Sequence, residues 1–426
     1  MRLCAVRFAS LVITLTTTLS CLAAAQPAAV TEINAPDTEK EPAVQQFTIA
    51  ISDEALADLR SRLERTRLPD QLEGTSWRYG TEKNSLSELM DYWVEEFDWR
   101  QQEAALNAFD QSLVTVSDLK IHTIHQRSKN PQAIPLLLVH GWPGSIAEFH
   151  KLIGPLTDPE AHGGEAIDSY HVIAPSLPGF GFSEAPKEPG YSPERIALLL
   201  AELMQTLGYE RYALAGGDWG AVINSHHANH YPERLIGLHS NMLLAPPPED
   251  ESQREAVTAN EAALREARSK HMRNEFAYQQ IQGTKPQSLG YALNDSPAGL
   301  AAWILEKFHG WSDIPQDETG DIWSAFSKDE ILTNISIYWF TQSITPSMRI
   351  YYENRATPQV KPTGYIDVPT GVALFPAEIY ITPRAWAEAA YDIRHWAQLE
   401  NGGHFAALEQ TDVYRSELNT FFRLLR

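Results

Sequence analysis

Residues 212–220 read YALAGGDWG, an apolar run that leads into Gly216-Gly217-Asp218-Trp219-Gly220. Small residues on both sides of Asp218 permit a sharp turn from a strand to a helix, which places the central side chain above the edge of a sheet. Such turns usually carry serine at this position. A carboxylate is ionised at neutral pH and can displace oxygen or halide from a saturated carbon, but it is a poor nucleophile for acyl transfer. We therefore predict that Asp218 is a nucleophile, with an ordinary glycine-rich turn and an aspartate helix cap as the alternative.

The segments around this turn alternate between two sequence patterns. Short apolar runs, which are typical of buried parallel strands, occur at Leu136–Val139, Val172–Ala174, Tyr212–Ala215, Leu235–Leu238 and Val372–Phe375. Amphipathic segments near residues 145–156, 192–208, 220–230 and 382–391 separate these runs. Because strand and helix patterns follow one another, we predict an α/β fold with a mainly parallel sheet.

Two long stretches do not follow this alternation. Residues 47–112 contain apolar side chains at helical spacing and show no clear strand pattern, so we predict a helical N-terminal segment there. Residues 244–365 begin near three prolines and continue as a helical, aromatic-rich stretch. We predict that they form a lid over the carboxyl edge of the sheet, where α/β proteins bind ligands. Residues 113–243 and 366–426 then form the two parts of one core, and residues 26–46, with three prolines, form a tether.

The N-terminus has the pattern of a secretory signal peptide. Residues 1–25 contain two arginines, an apolar stretch at 11–19 and three alanines at the end. The alternatives are a membrane anchor, although a span needs roughly 20 apolar residues, and lipidation at Cys21. We expect cleavage after Ala25 and an exported protein, periplasmic or secreted, without a stable membrane span. Cleavage would also remove Cys4 and Cys21, and with them any disulfide or thiolate metal site.

The composition of the whole chain limits its function. It has 426 residues, of which 43% are hydrophobic and 21% charged, as in a globular protein. Lysine and arginine number 34 against 55 aspartates and glutamates, which gives a net charge of −21. Such an acidic protein repels phosphate backbones, so we expect no nucleic-acid partner. Both a monomer and a homo-oligomer fit this composition.

A second glycine-flanked turn lies upstream, where the run at 136–139 ends in His140-Gly141-Trp142-Pro143-Gly144-Ser145. Glycines in such a turn allow backbone N–H groups to point toward an anion. Together with the Asp218 turn, this pattern predicts an oxyanion hole formed by the backbone amides of Trp142 and Trp219. Taken alone, the upstream segment could equally be a tight turn.

The partners of a nucleophile on such a turn follow it along the chain, first an acid and then a histidine. His404 follows two glycines near the C-terminus and is the candidate base. Glu378 follows an apolar run and is the candidate acid that orients the imidazole. Asp392 is a weaker alternative, because it falls within or just after the next helix. Some related proteins carry the acid after an earlier strand, but that region holds Asn241 here.

Two histidines raise the question of a metal site. His226 and His230 lie four residues apart on the segment after Asp218, a spacing that occurs in zinc proteases. That motif requires glutamate where His227 stands. We therefore expect neither a metal nor an organic cofactor.

The combined motifs resemble those of epoxide hydrolases of the microsomal type. The matching strings are HGWPGS at 140–145, GGDWG at 216–220, FPAE at 375–378 and GGHFAALE at 402–409. Two further stretches surround Tyr278 (AYQQIQGTKPQSLGYALNDSPAGLAAWILEKF) and Tyr351 (MRIYYEN). The resemblance runs from about residue 47 to the end. It implies an α/β-hydrolase core, a helical lid and an N-terminal helical segment. Membrane-bound members of this family carry an N-terminal anchor, from which the signal-like pattern here departs.

The resemblance also implies two lid tyrosines that bind the epoxide oxygen. By position in the matching strings these are Tyr278 and Tyr351. Tyr352 is adjacent to one of them and Tyr291 lies in the same stretch as the other. From the residues alone, any one tyrosine is more simply explained by core packing.

The expected reaction is the conversion of a small apolar epoxide and water to a vicinal diol. It would proceed through a hydroxyalkyl ester on Asp218, hydrolysed by water that His404 and Glu378 activate. Two rival functions remain. A haloalkane dehalogenase could hold halide through the indole of Trp219, but such enzymes usually carry asparagine where Trp142 stands and lack the tyrosine pair. A non-catalytic ligand-binding relative would generally have lost the nucleophile or the histidine.

Overall fold

A single nine-stranded sheet organises the molecule. The computed structural model describes residues 43–317, 319–357 and 364–426. The strands are β1 (Val44–Gln46), β2 (Gln111–Val116), β3 (Leu119–Gln126), β4 (Ile134–Val139), β5 (Tyr170–Pro175), β6 (Tyr212–Gly216), β7 (Leu235–Ser240), β8 (Ile366–Leu374) and β9 (Tyr391–Gln398). Their order in the sheet is β1-β2-β3-β5-β4-β6-β7-β8-β9. The first three pairings are antiparallel and all others are parallel.

The helices fall into four groups along the chain. Before the parallel strands lie α1 (Asp53–Leu63), α2 (Lys83–Glu95) and α3 (Trp99–Leu106). Between the strands lie α4 (His150–Thr157), α5 (Pro193–Thr206) and α6 (Asp218–His230). After β7 come α7 (Glu251–Glu255), α8 (Ala259–Glu275), α9 (Ala277–Gln282), α10 (Pro286–Leu293), α11 (Pro297–Trp311), α12 (Lys328–Thr341) and α13 (Ile344–Ala356). The chain then continues with α14 (Arg384–Ala390), α15 (Ala406–Glu409) and α16 (Thr411–Arg423).

The central strands are buried on both faces, which explains their continuous apolar runs. In β4, Leu137 belongs to the core cluster that includes side chains of α5 and α6. Its neighbours Leu136 and Leu138 belong to a second cluster with side chains of α4 and α16. Successive residues of a strand point to opposite faces, so these two clusters show helices packed on both sides of the sheet.

This arrangement has the mainly parallel sheet that the alternating patterns predicted, and it is the α/β-hydrolase core that the resemblance implied. A helical lid, α7–α13, is inserted between the neighbouring strands β7 and β8. The N-terminal helices pack against the lid: Thr81 donates a hydrogen bond to the carbonyl of Ala302 (2.6 Å), and Tyr92 donates one to Asp329 (3.0 Å). The segment boundaries at 47, 113, 244 and 366 stay predictions.

Strands β2 and β3 lie where the sequence first shows a strand signal, at about residues 113–125, but two other strands were missing from the prediction. Strand β1 has three residues, too few for an alternating pattern, and it pairs with β2 from within the segment predicted as a tether. Strand β9 follows α14 without a break and forms the other edge of the sheet. The predicted signal peptide and most of the tether lie outside the described residues. Within the described ranges, we find no helix with both the length and the apolar character required to cross a membrane.

Candidate active site

The turn between β6 and α6 positions Asp218. Strand β6 ends at Gly216, and Asp218 begins α6 with φ at +49°, in the left-handed region that side chains rarely adopt. A Cβ atom on Gly216 or Gly220 would lie 2.3 or 2.0 Å from the carbonyl oxygen of Val139, which explains why both positions are glycine. The turn therefore presses α6 against β4 and raises the carboxylate above the end of the sheet.

The two oxygens of Asp218 have different neighbours. The backbone amide of Trp142 donates a hydrogen bond of 2.8 Å to Oδ1. Oδ2 lies 3.5 Å from Nε2 of His404. One oxygen is thus held by the loop after β4, while the other faces the predicted base.

The loop that carries Trp142 is anchored by the lid. Asn334 donates a hydrogen bond to the carbonyl of Pro143 (2.8 Å), and the hydroxyl of Tyr338 donates one to the carbonyl of Gly144 (2.7 Å). Both side chains are buried on α12. The predicted amide of Trp219 lies in the first turn of α6, directly after Asp218, where helix N–H groups point outward. Sequence analysis missed Asn334 and Tyr338, because they come from a helix remote in the chain.

His404 and Glu378 form a buried pair behind Asp218. Nδ1 of His404 lies 2.5 Å from Oε1 of Glu378, whose side chain is fully buried. Asn241 donates a hydrogen bond of 3.1 Å to the other oxygen of Glu378. Asn241 thus stands beside the acid rather than replacing it. Asp392, the weaker candidate, lies on β9 and pairs with Arg394 instead.

The charges around His404 control its protonation. Burial alone would lower the pKa of the imidazole, but the carboxylates of Glu378 and Asp218 outweigh that effect and raise it well above its usual value. The resting site therefore holds an imidazolium between two carboxylates. Loss of the charge on Asp218 would remove part of this stabilisation and lower the pKa of His404 again.

The structure brings Tyr278 and Tyr351 together above Asp218. Their ring centroids are 5.6 Å apart and both residues are 4% exposed. Tyr278 stacks on Trp142 with centroids 5.1 Å apart, and Tyr351 meets Trp219 edge to face at 4.7 Å. The two other tyrosines that the sequence left open are exposed, Tyr291 by 73% and Tyr352 by 45%.

Both inward tyrosines are suited to donate a proton. Burial, reinforced by the charge of Asp218, raises the pKa of Tyr278 and of Tyr351 well above the usual value, so both phenols are protonated at neutral pH. The hydroxyl of Tyr351 is buried, and although Tyr278 and the indole of Trp219 are close, the described residues offer it no hydrogen bond of ordinary geometry. A buried donor without a partner is costly, which indicates that this hydroxyl is kept for a ligand.

A further carboxyl group lies beside the site. Glu148 lines a small cavity of about 20 Å³ together with Asp218, His404 and Trp142. Burial raises the pKa of Glu148 to about 8, with smaller contributions from the charges of the site. Sequence analysis missed Glu148, although a glutamate between the apolar Ile146, Ala147 and Phe149 was a usable signal.

The histidines considered as metal ligands have other partners. His230 lies 2.8 Å from a carboxylate oxygen of Glu194, and His227 lies 2.6 Å from the hydroxyl of Tyr212. Burial lowers the pKa of His226. In the part of the chain that the structure describes, no cluster of three or more His, Cys, Asp or Glu side chains could hold a metal ion.

Comparison with protein families identifies both parts of the chain. The family described as "Epoxide hydrolase N terminus" matches residues 44–149. The family described as "alpha/beta hydrolase fold" matches residues 134–269. The second match contains the turn that carries Asp218, and the first contains α1–α3 and the loop that carries Trp142.

Individual relatives match over nearly the whole chain. A protein of Stigmatella aurantiaca named "Putative epoxide hydrolase" is 45% identical over 90% of this chain and 86% of its own. Epoxide hydrolase 1 of rabbit, Oryctolagus cuniculus, is 36% identical over 91% of this chain and 90% of its own. The crystal structure of juvenile hormone epoxide hydrolase from the silkworm Bombyx mori superposes with a TM-score of 0.84, at 32% identity, over 92% of this chain and 96% of that one.

These relatives correct one prediction. The expected location, exported and periplasmic or secreted, is wrong: relatives such as epoxide hydrolase 1 of rabbit belong to the microsomal, membrane-anchored type. The physical reason is that a cleaved leader and a retained anchor share the same pattern, positive charges followed by an apolar stretch. Apolar length alone did not separate the two. Residues 1–25 themselves lie outside the described ranges.

The fold, the geometry of the site and the matches to relatives all indicate the same family. The matches cover about nine tenths of this sequence. Each relative is named as an epoxide hydrolase, and the match to this chain covers 86% or more of its length. The chain therefore belongs to the epoxide hydrolases, with the N-terminal segment of that family joined to an α/β-hydrolase core.

Proposed function

We propose that the protein converts an epoxide and water to a vicinal diol through a covalent ester on Asp218. The observation that carries this proposal is the arrangement around one carboxylate. Asp218 has an amide donor at Oδ1, an imidazole 3.5 Å from Oδ2, and two protonated phenols above it. Each of these groups has a use in one of two chemical steps.

Ring opening uses Asp218 and the tyrosines. Oδ2 attacks a ring carbon, because Oδ1 is held by the amide of Trp142. The bond between that carbon and the ring oxygen breaks, and its electron pair stays on the oxygen. The phenol of Tyr278, assisted by Tyr351, supplies a proton to this developing alkoxide. The product is a hydroxyalkyl ester whose carbonyl oxygen is Oδ1.

Ester hydrolysis uses His404 and Glu378. Esterification neutralises Asp218, so the pKa of His404 falls and the imidazole can lose its proton and act as a base. It takes a proton from water, which attacks the ester carbonyl, while Glu378 holds the imidazole through Nδ1. The amides of Trp142 and Trp219 stabilise the tetrahedral oxyanion. His404 then returns its proton to the leaving oxygen of the diol. The proton that the imidazolium lost after esterification restores the phenol, and the second proton of the water, left on Asp218, restores the imidazolium.

The small cavity beside the site is suited to hold the hydrolytic water. Its volume of about 20 Å³ is enough for one water molecule, and polar groups line it. Glu148, protonated at neutral pH, can both donate and accept hydrogen bonds there. Glu148→Ala should therefore slow ester hydrolysis and leave ester formation unchanged.

Trapping of the intermediate tests the proposal. His404→Gln should form the ester with an epoxide that the parent hydrolyses and should not hydrolyse it. The mass of the intact protein should then rise by the mass of the epoxide and stay raised. His230→Gln, which replaces a histidine paired with Glu194 away from the site, is the matched control and should behave as the parent. A His404→Gln variant that shows no adduct under these conditions would refute the covalent route.

The source of the oxygen gives a second test. In a single turnover in ¹⁸O-labelled water, the first diol should carry unlabelled oxygen from Asp218, because water adds to the ester carbonyl and not to the epoxide carbon. Label in the first diol equal to that of the solvent would contradict the mechanism.

A further inference from the structure

The lid contains a buried lysine that the proposed reaction does not use. Lys307, on α11, is 1% exposed. Its Nζ lies 2.9 Å from a carboxylate oxygen of Glu275 and 2.9 Å from one of Glu306. It also donates a hydrogen bond of 3.3 Å to the carbonyl of Glu275. Burial of a charged group costs free energy even when the group is paired, so the position of this ammonium calls for a role.

The ammonium lies directly against one of the two site tyrosines. Nζ of Lys307 is 5.1 Å from the ring centroid of Tyr278 and 5.8 Å from that of Trp311. Both distances are within the range in which a cation is attracted by an aromatic face. Trp311 in turn meets the ring of His404 edge to face at 5.1 Å, and its carbonyl accepts the backbone N–H of His404. The lysine thus stands behind the proton donor of the site.

The ion pair also joins the helices that carry these residues. Glu275 is the last residue of α8, and α9, which carries Tyr278, begins at Ala277. Lys307 lies one turn before Trp311 on α11. The carboxylate of Glu275 fits closely against α11, since a Cβ atom on Gly310 would lie 2.8 Å from it. The ion pair thus ties the chain that leads into α9, and with it Tyr278, to α11.

We propose that Lys307, paired with Glu275, is a positioning residue for ring opening: it fixes the ring of Tyr278 over Asp218 and, through its charge, favours transfer of the phenol proton to the epoxide oxygen. This inference rests on the proposed function. As the proton leaves, negative charge develops on the phenol. The ammonium lies against the ring face and attracts that charge, whereas the carboxylate of Glu275 opposes it and raises the pKa of the resting phenol.

The chain offers a matched control. Nζ of Lys328 lies 2.7 Å from a carboxylate oxygen of Glu88 and 5.1 Å from the ring centroid of Tyr92. It is also 5.5 Å from the ring of Trp323. Like Lys307, this lysine pairs with a glutamate and lies near a tyrosine and a tryptophan. These three residues are different from the ones that Lys307 contacts. Lys328→Met should therefore remove an equivalent set of contacts and leave the reaction unchanged.

The test separates the two chemical steps. Lys307→Met and the charge-balanced Lys307→Met/Glu275→Gln are compared with the parent and Lys328→Met in rapid-quench single turnovers, with ester measured by intact mass. Two epoxides of similar size serve as probes: 1,2-epoxybutane and 1,1,1-trifluoro-2,3-epoxypropane. We expect both Lys307 variants to form the ester of the first about tenfold more slowly and to hydrolyse it at the parental rate. The loss should shrink with the trifluoromethyl compound, because its alkoxide is less basic and needs the proton less.

A purely structural role for Lys307 would give a different result. It would slow ester formation and ester hydrolysis to the same extent, with both epoxides, and this result would overturn the inference. A folded variant that forms the ester at a rate within about twofold of the parent would overturn it as well. If near-ultraviolet circular dichroism shows that Lys307→Met does not fold, the double variant, which leaves no unpaired charge on Glu275, decides by the same criteria. A parent that forms no ester with either epoxide or any other would refute the proposed function and this inference together, whereas unchanged variants of an active parent refute the inference alone.

Discussion

At the scale of single residues, the site depends on which carboxyl groups keep their protons. Glu378 and Asp218 raise the pKa of His404 well above its usual value, while burial raises the pKa of Glu148 to about 8. Two negative charges and one positive charge therefore surround a neutral carboxylic acid at neutral pH. If Glu148 were ionised, the same small space would hold three carboxylates against one imidazolium, and like charges at this distance would repel one another.

The proton on Glu148 should make stability depend on pH. The native carboxyl keeps its proton up to about pH 8, whereas the unfolded chain loses it near 4.5. The native state thus binds more protons between these values, and this contribution to stability falls as pH rises through that window. The difference in free energy of unfolding between Glu148→Gln and the parent should therefore rise in favour of the variant by about 1 kcal/mol or more between pH 4.5 and pH 8. Above pH 8 the difference should stay constant. Urea unfolding at several pH values measures this difference.

The control for this change is Glu160→Gln, at an exposed position. Its stability relative to the parent should not change across the same pH range. A flat difference for Glu148→Gln as well would mean that Glu148 is ionised in the native protein, and its role as a hydrogen-bond donor to water would then be untenable.

At the scale of elements, the turn between β6 and α6 is the part with the least freedom. Gly216 and Gly220 both face the carbonyl of Val139, and Asp218 between them has a positive φ. The N-terminal end of α6 can approach β4 only because neither glycine has a side chain. The sharp turn is thus fixed by steric fit to the neighbouring strand as well as by its own backbone angles.

Gly220→Ala should therefore disrupt the protein. The new Cβ atom would lie 2.0 Å from the carbonyl oxygen of Val139, so the helix or the strand must shift. We expect a loss of at least about 4 kcal/mol in free energy of unfolding, a size that is exceptional for one substitution, or no soluble protein. Soluble yield and the urea midpoint measure this.

Gly154→Ala is the control within a helix of the same core. Its Cβ atom would meet Nε2 of His162 at 3.4 Å, an ordinary contact. Removing glycine from a helix should stabilise the protein by about 0.5–1 kcal/mol. Equal behaviour of the two variants would contradict the steric argument.

The sequence could predict those site residues that lie in short local motifs, but not those that matter through contacts distant in the chain. Asp218 and Glu378 each follow a buried strand, and His404 follows a pair of glycines near the C-terminus, so local patterns and chain order were enough to predict them as site residues. Glu148 and Asn334 have no such motif, because their importance comes from contacts with loops far away in the chain. The edge strands β1 and β9 were missed for a related reason: a three-residue strand and a strand fused to a helix give almost no periodic signal.

At the scale of the whole molecule, the N-terminal helices and the lid form one packed body with the core. Buried leucines of α2 share a cluster with residues of α11 and α12, and the same cluster reaches Trp142, Trp219 and both site tyrosines. Damage to the N-terminal segment should therefore be felt throughout the protein.

Leu89→Ala tests this cooperativity. Leu89, on α2, is 0% exposed, so its truncation should cost about 2–5 kcal/mol. Urea unfolding followed by far-ultraviolet circular dichroism and by tryptophan fluorescence should shift to lower urea in one coincident transition. Leu72→Ala, at a position 59% exposed, should stay within about 0.5 kcal/mol of the parent. Separate transitions for the two probes would show instead that the N-terminal segment unfolds independently.

The insertion of the lid between β7 and β8 has a consequence for biosynthesis. These strands are neighbours in the sheet, yet residues 241–365 separate them along the chain. Glu378 and His404 both follow β8, so a ribosome has released Asp218 and every lid helix before either residue emerges. Domains tend to fold as they are synthesised, and closing so long a loop carries an entropic cost. Nascent chains that stop before β8 therefore hold Asp218 without Glu378 and His404, so the proposed reaction can begin only after His404 has been synthesised.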